Sequence, residues 1–198
     1  MCGRYTLKET SKISECFGIE IQKSYNIAPS DKVLVIGPQH SPIFLKWSYK
    51  THWLKNSPGF INARSESLNT KASFRNAARC VFLSDGWFEW ETINGTKVPH
   101  YFHSNGQIIY FAGVSDGCGG CAIVTTAASK NFSTIHPRQP LLLGSNNIGC
   151  WLGGSNFDDD KDQYSISHHQ VGRMVNKVSN NSPKNLVKTI KDVDCILI

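Results

Sequence analysis

The 198-residue sequence has no apolar run that approaches the ~20 residues needed to cross a bilayer, and residues 1–8 lack the apolar core of a secretory signal. It also lacks an acidic excess, since 21 Lys and Arg outnumber 15 Asp and Glu, for a formal charge of +6. These absences argue against a membrane or secreted protein. We therefore expect an intracellular protein, cytoplasmic or, in a eukaryote, nuclear, with a modest preference for polyanions.

Internal repeats, linkers and low-complexity segments are also missing, and 198 residues are few for two independent cores. We therefore expect a single domain over residues 1–198. In a reducing compartment the seven cysteines are not expected to form a disulfide framework. Cys118 and Cys121 have zinc-like spacing but no second ligand pair to match. The neighbouring Asp116-Gly117 pair favours a hairpin turn, and a local disulfide under oxidation remains an open alternative.

Asn-Gly pairs punctuate the middle of the chain, where aromatic and β-branched residues are dense. Both central residues of a type I′ turn need positive φ, so Asn94-Gly95 and Asn105-Gly106 predict hairpin turns. Hydrophobic spacing predicts strands at 33–36, 43–47, 87–93, 97–103, 107–114 and 122–126, helices at 10–17, 70–78 and 145–152, and a turn at 25–29. The expected fold class is α+β: a compact β-rich fold of antiparallel hairpins or a barrel-like sheet, with short peripheral helices.

The residue with the most unusual chemistry is Cys2. Aminopeptidases usually remove an initiator Met that precedes a small residue, and autocatalytic removal is the alternative. Either would leave Cys2 with a free α-amine beside its thiol. These groups titrate near pH ~8 and ~8.5, so both have a usable unprotonated fraction at neutral pH. Such an aminothiol condenses with an aldehyde and closes a thiazolidine ring, which no internal cysteine can do.

Polar residues also recur where packing does not require them. Asn62 follows an apolar pair, Glu89 lies between two tryptophans, and His136 lies in a proline-stiffened loop. A carboxylate and an imidazole can supply the proton transfers that addition to an aldehyde needs. Each residue alone also has an ordinary surface interpretation.

The order of these motifs resembles the SRAP family, the SOS-response-associated peptidases. The resemblance covers nearly the whole chain and rests on ordered motifs: Met-Cys-Gly-Arg-Tyr at the start, Tyr-Asn-Ile-Ala-Pro at 25–29, Asn-Ala-Arg-Ser-Glu at 62–66, Asp-Gly-Trp-Phe-Glu-Trp at 85–90, Phe-Ala-Gly at 111–113, Thr-Thr-Ala-Ala at 125–128 and His-x-Arg-x-Pro at 136–140.

The resemblance implies a protein that shields abasic sites in single-stranded DNA during the DNA damage response, through a covalent thiazolidine link from its N-terminal cysteine. The resemblance also implies that the protein has the activities by which the family is described, peptidase and lyase. By motif match the catalytic residues would be Cys2, Asn62, Glu89 and His136. Glu89 would shuttle protons at the Cys2 amine, His136 would assist opening of the sugar ring, and Asn62 would hold the Cys2 backbone or a sugar hydroxyl.

DNA binding is expected from residues beside those positions. Arg4, Arg64 and Arg138 can each fork onto a phosphate, and Trp53 and Trp90 are candidates for stacking on bases, with aromatic core as the alternative. No metal or cofactor is expected, and the protein should act as a monomer.

Two other functions stay open. The same four residues could serve an N-terminal-nucleophile cysteine peptidase or amidase, and the chain could be a non-covalent single-strand binding module. One departure from the family pattern concerns the loop of His136. Pro137 and Gln139 replace the residues usual there, which puts the pKa of His136 and crosslink reversal in question.

Overall fold

The computed structural model describes residues 2–53, 57–155 and 164–189. Within these ranges the chain forms thirteen strands: β1 Tyr5–Leu7, β2 Ser24–Ile27, β3 Lys32–Ile36, β4 Pro42–Lys46, β5 Asn62–Arg64, β6 Ala78–Ser84, β7 Gly86–Ile93, β8 Thr96–His103, β9 Ile109–Ser115, β10 Cys121–Ala127, β11 Arg138–Pro140, β12 Leu142–Leu143 and β13 Ser167–Gln170. The α-helices are α1 Ser11–Phe17 and α2 Ile148–Leu152, and 3-10 turns cover Ser65–Ser67, Ser145–Asn147, Arg173–Asn176 and Pro183–Leu186.

The strands form two sheets, which confirms the predicted β-rich α+β class. A five-stranded sheet has the order β13-β8-β7-β1-β2. An eight-stranded sheet has the order β11-β10-β9-β6-β3-β4, with β12 added to β9 and β5 added to β10. All pairs are antiparallel except β5 with β10. Lys46, at the end of edge strand β4, donates its amide to the carbonyl of Gly119, 2.8 Å away and just before β10. This single bridge does not close the described part of the eight-stranded sheet into a barrel.

The two Asn-Gly turns have different outcomes. Asn94 and Gly95 adopt φ of 48° and 76° and join β7 to β8 as the predicted hairpin. Asn105 and Gly106 also have positive φ, but the turn carries the chain from one sheet to the other, so β8 and β9 do not pair. The hairpin prediction is wrong there because the two edges of β9 are occupied by β6 and by β10 with β12.

Two further predictions need correction. Residues 25–29, interpreted as a turn, begin with the last three residues of β2, which pairs with β1 through Tyr5 and Ile27. Residues 70–78 form no α-helix. Their backbone makes separate turns, such as the amide of Phe74 to the carbonyl of Lys71, and β6 begins at Ala78. The predicted helix at 10–17 is confirmed as α1, which ends at Gly18 with φ of 64°.

Both sheets contribute to one aromatic core. Tyr5 of β1 packs edge-on against Trp47, Phe82 and Phe111, with ring centroids 5.4, 6.3 and 6.2 Å away. Trp87 of β7 stacks on Phe102 of β8 at 5.0 Å. Large buried rings therefore hold the neighbouring strands β1 and β7 in place. Among the residues described, no helix is long and apolar enough to span a bilayer.

The Cys118–Cys121 segment is the turn between β9 and β10. One carboxylate oxygen of Asp116 accepts the amides of Cys118 and Gly120, both at 2.8 Å. Both cysteines are free thiols, with Cys118 exposed and Cys121 buried. The turn prediction is therefore confirmed, and this structure contains no disulfide between them.

Candidate functional site

Residues 2–4, which we call the N-terminal tripeptide, precede β1, and each of their three carbonyls accepts a hydrogen bond. The side-chain amide of Asn62 donates to the Cys2 carbonyl at 2.9 Å, and Nε of Arg4 donates to the Gly3 carbonyl at 3.2 Å. The amide of Phe88 in β7 donates to the Arg4 carbonyl at 3.0 Å. Because Cys2 is itself fully buried, this end of the described chain is ordered rather than frayed.

Asn62 reaches Cys2 because β5 adds to β10 in parallel, with Asn62 opposite Ile123. Its amide nitrogen is used by the Cys2 carbonyl. Its carbonyl oxygen Oδ1 is buried and has no hydrogen-bond partner among the described residues. A buried acceptor without a donor costs free energy, so this atom is suited to accept a hydrogen bond from a bound molecule.

Glu89 lies in β7 on the same face as Trp87, because alternate residues of a strand share a face. The side chain is only 3% exposed. Burial is the main influence on it and raises the pKa of the Glu89 carboxyl to about 7. The group therefore populates both protonation states near neutral pH, as a general acid–base catalyst should.

His136 approaches Glu89 from the loop before β11. Its Nδ1 lies 3.9 Å from a Glu89 carboxylate oxygen, longer than a hydrogen bond, and within hydrogen-bond distance of both the amide and the carbonyl of Arg138, at 3.1 and 3.0 Å. Burial lowers the pKa of His136, although its hydrogen bond with the Arg138 backbone opposes that change. The imidazole is therefore mainly neutral at pH 7.

The Cys2 thiol is within electrostatic reach of Glu89. Burial raises the pKa of the Cys2 thiol well above its usual range, and the negative charge of Glu89 adds to the rise. Four residues predicted from separate motifs, Cys2, Asn62, Glu89 and His136, therefore meet at one place. Met1 lies outside the described residues.

The three predicted DNA-binding arginines differ in whether their guanidinium groups already have hydrogen-bond partners within the protein. Arg64 is exposed at the end of β5. Arg138 forks onto the carboxylate of Glu66 and also donates to Thr125. Arg4 is directed into the protein, where its guanidinium meets the 173–181 segment. Of the three, Arg64 is the most accessible to a phosphate.

The two tryptophans also differ. Trp53 is 50% exposed and packs edge-on against His52, in a surface pocket that Tyr49, Ala72 and Cys118 also line. That lining includes none of the four converging residues. Trp90 is half-buried and donates from Nε1 to Asn176 at 2.8 Å, which matches the aromatic-core alternative better than an open stacking surface.

The substituted loop beside His136 is well ordered by its own contacts. Gln139 is buried, and its side-chain oxygen accepts the amide of Ser129 at 2.9 Å. The carbonyl of Pro137 accepts the amide of Ala128 at 3.0 Å. These bonds hold the loop against the segment after β10, so the departure from the family pattern leaves His136 facing Glu89.

Sequence reasoning missed two residues of this region. Asn26 is buried and accepts a hydrogen bond from Arg4, and the carboxylate of Glu66 forms an ion pair with the Arg138 guanidinium. Both lie inside motifs used for the family resemblance, so a signal was present. What could not be read from the motifs is that each side chain has an arginine as its partner.

A fold of two sheets with a buried N-terminal cysteine beside an asparagine, a glutamate and a histidine defines a class of protein. The chain belongs to the SOS response associated peptidase (SRAP) family, whose model matches residues 1–181. It is 32% identical to the abasic site processing protein YoqW of Bacillus subtilis, over 93% of this chain and 98% of that one.

More distant relatives carry the same description. The abasic site processing protein YedK of Escherichia coli is 28% identical over 91% of this chain and 96% of its own. HMCES of Gallus gallus, also named an abasic site processing protein, is 28% identical over 72% of this chain and 56% of its own. The similarity thus extends to a vertebrate protein that has additional sequence.

The fold also matches solved structures. A protein from Bacteroides thetaiotaomicron superposes with a TM-score of 0.79 at 18% identity, over 96% of this chain and all of that one. A phage-related protein from Bordetella bronchiseptica gives 0.65 at 22% identity, over 86% and 94%. Both matches support the fold. Among the described residues, no cluster of three or more His, Cys, Asp or Glu side chains is arranged to hold a metal ion.

Proposed function

We propose that this protein captures abasic sites in single-stranded DNA by forming a covalent bond to Cys2, once Met1 has been removed. The observation that carries the proposal is the convergence of four side chains around the start of the chain: Asn62 on the Cys2 carbonyl at 2.9 Å, and His136 facing Glu89 at 3.9 Å. The names of the relatives, abasic site processing proteins, support the same substrate.

The reaction needs no cofactor or oxidant. The ring-opened deoxyribose presents an aldehyde, which the Cys2 α-amine attacks, and loss of one water leaves an imine. The thiol then adds to the imine carbon, its proton passes to nitrogen, and a thiazolidine ring closes. An N-terminal cysteine held in one orientation gains effective concentration for both steps, which can reach about 10⁵ M in well-oriented systems.

Glu89 and His136 would divide the proton transfers. Because the pKa of Glu89 is about 7, Glu89 can accept a proton from the Cys2 amine and return it to the departing hydroxyl. Neutral His136 would accept the hydroxyl proton as the sugar ring opens. Oδ1 of Asn62, which has no partner in the described part of the chain, would accept a hydrogen bond from the sugar.

The DNA strand would be held mainly through its phosphates. Exposed Arg64, two residues beyond Asn62, is the best placed of the arginines, and Arg138 would need to exchange Glu66 for a phosphate. Trp53 remains a proposed stacking residue for a flanking base. We also propose that the chain acts as a monomer and a single domain, which the core shared by its two sheets supports.

An N-terminal cysteine peptidase is the weaker alternative. A hydrolase of that kind uses a thiolate as its first nucleophile. Burial and Glu89 raise the pKa of the Cys2 thiol, so thiolate is scarce in this environment. In aldehyde capture the amine is the first nucleophile, and the thiol adds only afterwards, to an imine carbon already held beside it.

The test is intact-mass spectrometry of the purified protein with a single-stranded oligonucleotide that contains one abasic site. The expected spectrum shows loss of Met1 and the mass of protein plus oligonucleotide minus water, in an adduct that survives denaturation. Cys2→Ala should form no thiazolidine, whereas Cys16→Ala, which removes an exposed thiol on α1, should react as wild type.

Two controls define the chemistry. An oligonucleotide with a tetrahydrofuran analogue, which lacks the aldehyde, should give no adduct. Equal crosslinking by Cys2→Ala and wild type would refute the proposal. Cleavage of a peptide substrate without capture of the aldehyde would favour the peptidase.

A further inference from the structure

The side chain of Arg4 fastens the N-terminal tripeptide to a distant part of the chain. Its Nε donates to the Gly3 carbonyl at 3.2 Å, which folds the side chain back along its own backbone. Its Nη1 donates to the carbonyl of Val175 at 2.9 Å and to Oδ1 of Asn26 at 3.0 Å. The guanidinium therefore bridges residue 3 to the 173–181 segment, which includes the 3-10 turn Arg173–Asn176.

Asn26 completes this bridge from β2. The residue is 3% exposed, and its side-chain amide nitrogen lies within hydrogen-bond distance of three carbonyls in the same segment: Val175 at 3.2 Å, Lys177 at 3.1 Å and Asn180 at 2.9 Å. With the acceptor side of Asn26 on Arg4 and the donor side on the segment, one buried amide joins the two.

A second contact holds the same segment against β2. The amide of Tyr25 donates to the side-chain oxygen of Asn181 at 2.6 Å. Since β2 pairs with β1, the 173–181 segment is tied both to the strand beside the N-terminus and, through Arg4, to the tripeptide itself. A buried and satisfied polar network of this kind restricts a backbone to one conformation.

We propose that Asn26 and Arg4 form a positioning pair that holds the Cys2–Arg4 backbone against the 173–181 segment and so orients the amine and thiol of Cys2. The proposal rests on the proposed capture reaction. It assigns Arg4 to the rate of the reaction rather than to the affinity for DNA, because the guanidinium hydrogen bonds that the structure shows are all made to groups of the protein itself.

This assignment differs measurably from a phosphate contact. A phosphate-binding arginine contributes to affinity and to its salt dependence, with a slope of about 0.7 per contact on single strands. A positioning pair acts after binding, and misplacement of a reacting group by about 1 Å can cost on the order of 100-fold in rate. The maximal rate and the half-saturating concentration therefore separate the two roles.

The experiment measures adduct formation under single-turnover conditions over a range of protein concentrations and salt. Arg4→Met and Asn26→Ala should each lower the maximal rate constant about 10-fold or more, while the half-saturating concentration and its salt slope stay within about two-fold of wild type. Asn26→Asp, which keeps the acceptor for Arg4 and loses the donor, should be intermediate. Arg64→Met should show the opposite pattern, a higher half-saturating concentration with a similar maximal rate.

Arg75→Met is the matched control, since it removes the same charge from an exposed site and should react as wild type. A second measurement does not depend on the reaction. In the protein alone, hydrogen–deuterium exchange of the peptide over residues 2–8 should be faster in Asn26→Ala and Arg4→Met, with the exchange of β9 and β10 unchanged.

Two results would overturn the positioning role. One is a weaker affinity of Arg4→Met for the oligonucleotide, with its salt dependence reduced by a slope of about 0.7 and its maximal rate unchanged. The other is unchanged exchange over residues 2–8 in Asn26→Ala. Should wild type form no adduct, the capture reaction fails, and the exchange measurement still decides whether the pair holds the tripeptide.

Discussion

The two faces of β7 differ in their side chains: one carries a carboxyl of the candidate site, and the other is apolar. One face, formed by Trp87, Glu89 and Glu91, carries the carboxyl of the candidate site, Glu89, next to Trp87, whose ring stacks on Phe102. The other face, formed by Phe88 and Trp90, packs with Tyr101, Val171 and Val175, the last of which lies in the 3-10 turn Arg173–Asn176. We refer to these as the site face and the sealing face.

The difference shows how a carboxyl can keep a high pKa on a stable strand. Trp87, Phe88 and Glu89 are all at least 97% buried, yet only Glu89 is ionisable. The apolar packing of Trp87 and Phe88, both fully buried, helps to offset the free-energy cost of burying this carboxyl. A site of this kind is expected to be less stable than its apolar equivalent. Four substitutions along β7 test the comparison.

The largest effect is expected on the sealing face. Phe88→Ala removes a fully buried ring that packs on Tyr101 at 5.0 Å, and it should lower the free energy of unfolding by about 3–5 kcal/mol. Chemical denaturation monitored by fluorescence measures this loss. A cost below about 1 kcal/mol would show that the sealing face does not support the strand.

Next in size is the effect of pH on Glu89→Gln. An unfolded glutamate ionises near pH ~4.3, whereas Glu89 in the folded protein keeps its proton until about pH 7. Between these values ionisation favours the unfolded state, so wild-type stability falls as pH rises. Glutamine does not ionise, so the variant should gain up to about 3 kcal/mol relative to wild type between pH 5 and 8.

Thermal unfolding of both proteins over that pH range provides the measurement. Glu15→Gln on the exposed side of α1 is the control and should follow wild type. A constant difference between Glu89→Gln and wild type would mean that the Glu89 pKa is not raised. Adduct formation by Glu89→Gln should be slow at every pH, because the proton shuttle is lost.

A smaller effect is expected at Trp90. Trp90→Phe keeps an aromatic ring and removes the indole donor to Asn176, a 2.8 Å hydrogen bond, so the free energy of unfolding should fall by about 1 kcal/mol. Trp53→Phe, at a ring that is half exposed, should leave stability unchanged. If Trp90 stacks on DNA instead, the variant would retain its stability and lose affinity for the oligonucleotide.

The smallest effect concerns Glu91 on the site face. Its carboxylate lies 3.0 Å from Nε2 of His100, whose pKa is lowered chiefly by burial and raised in part by Glu91. Glu91→Gln should therefore move the titration of His100 to lower pH, as followed by the ring protons in NMR spectra. A shift to higher pH, or none, would exclude Glu91 as a partner of His100.

The sequence alone determined the fold class, the Asn94-Gly95 hairpin and the four converging residues, because local turn chemistry, strand alternation and ordered motifs are written in short stretches. Only the tertiary structure decided that residues 105–106 change sheets, that residues 25–27 are a strand beside β1, and that residues 70–78 form no helix. It also decided that Arg4 meets Asn26 and that Arg138 meets Glu66. The reason is physical: sheet partners and the burial that shifts a pKa depend on neighbours far apart in the chain, which no local pattern records.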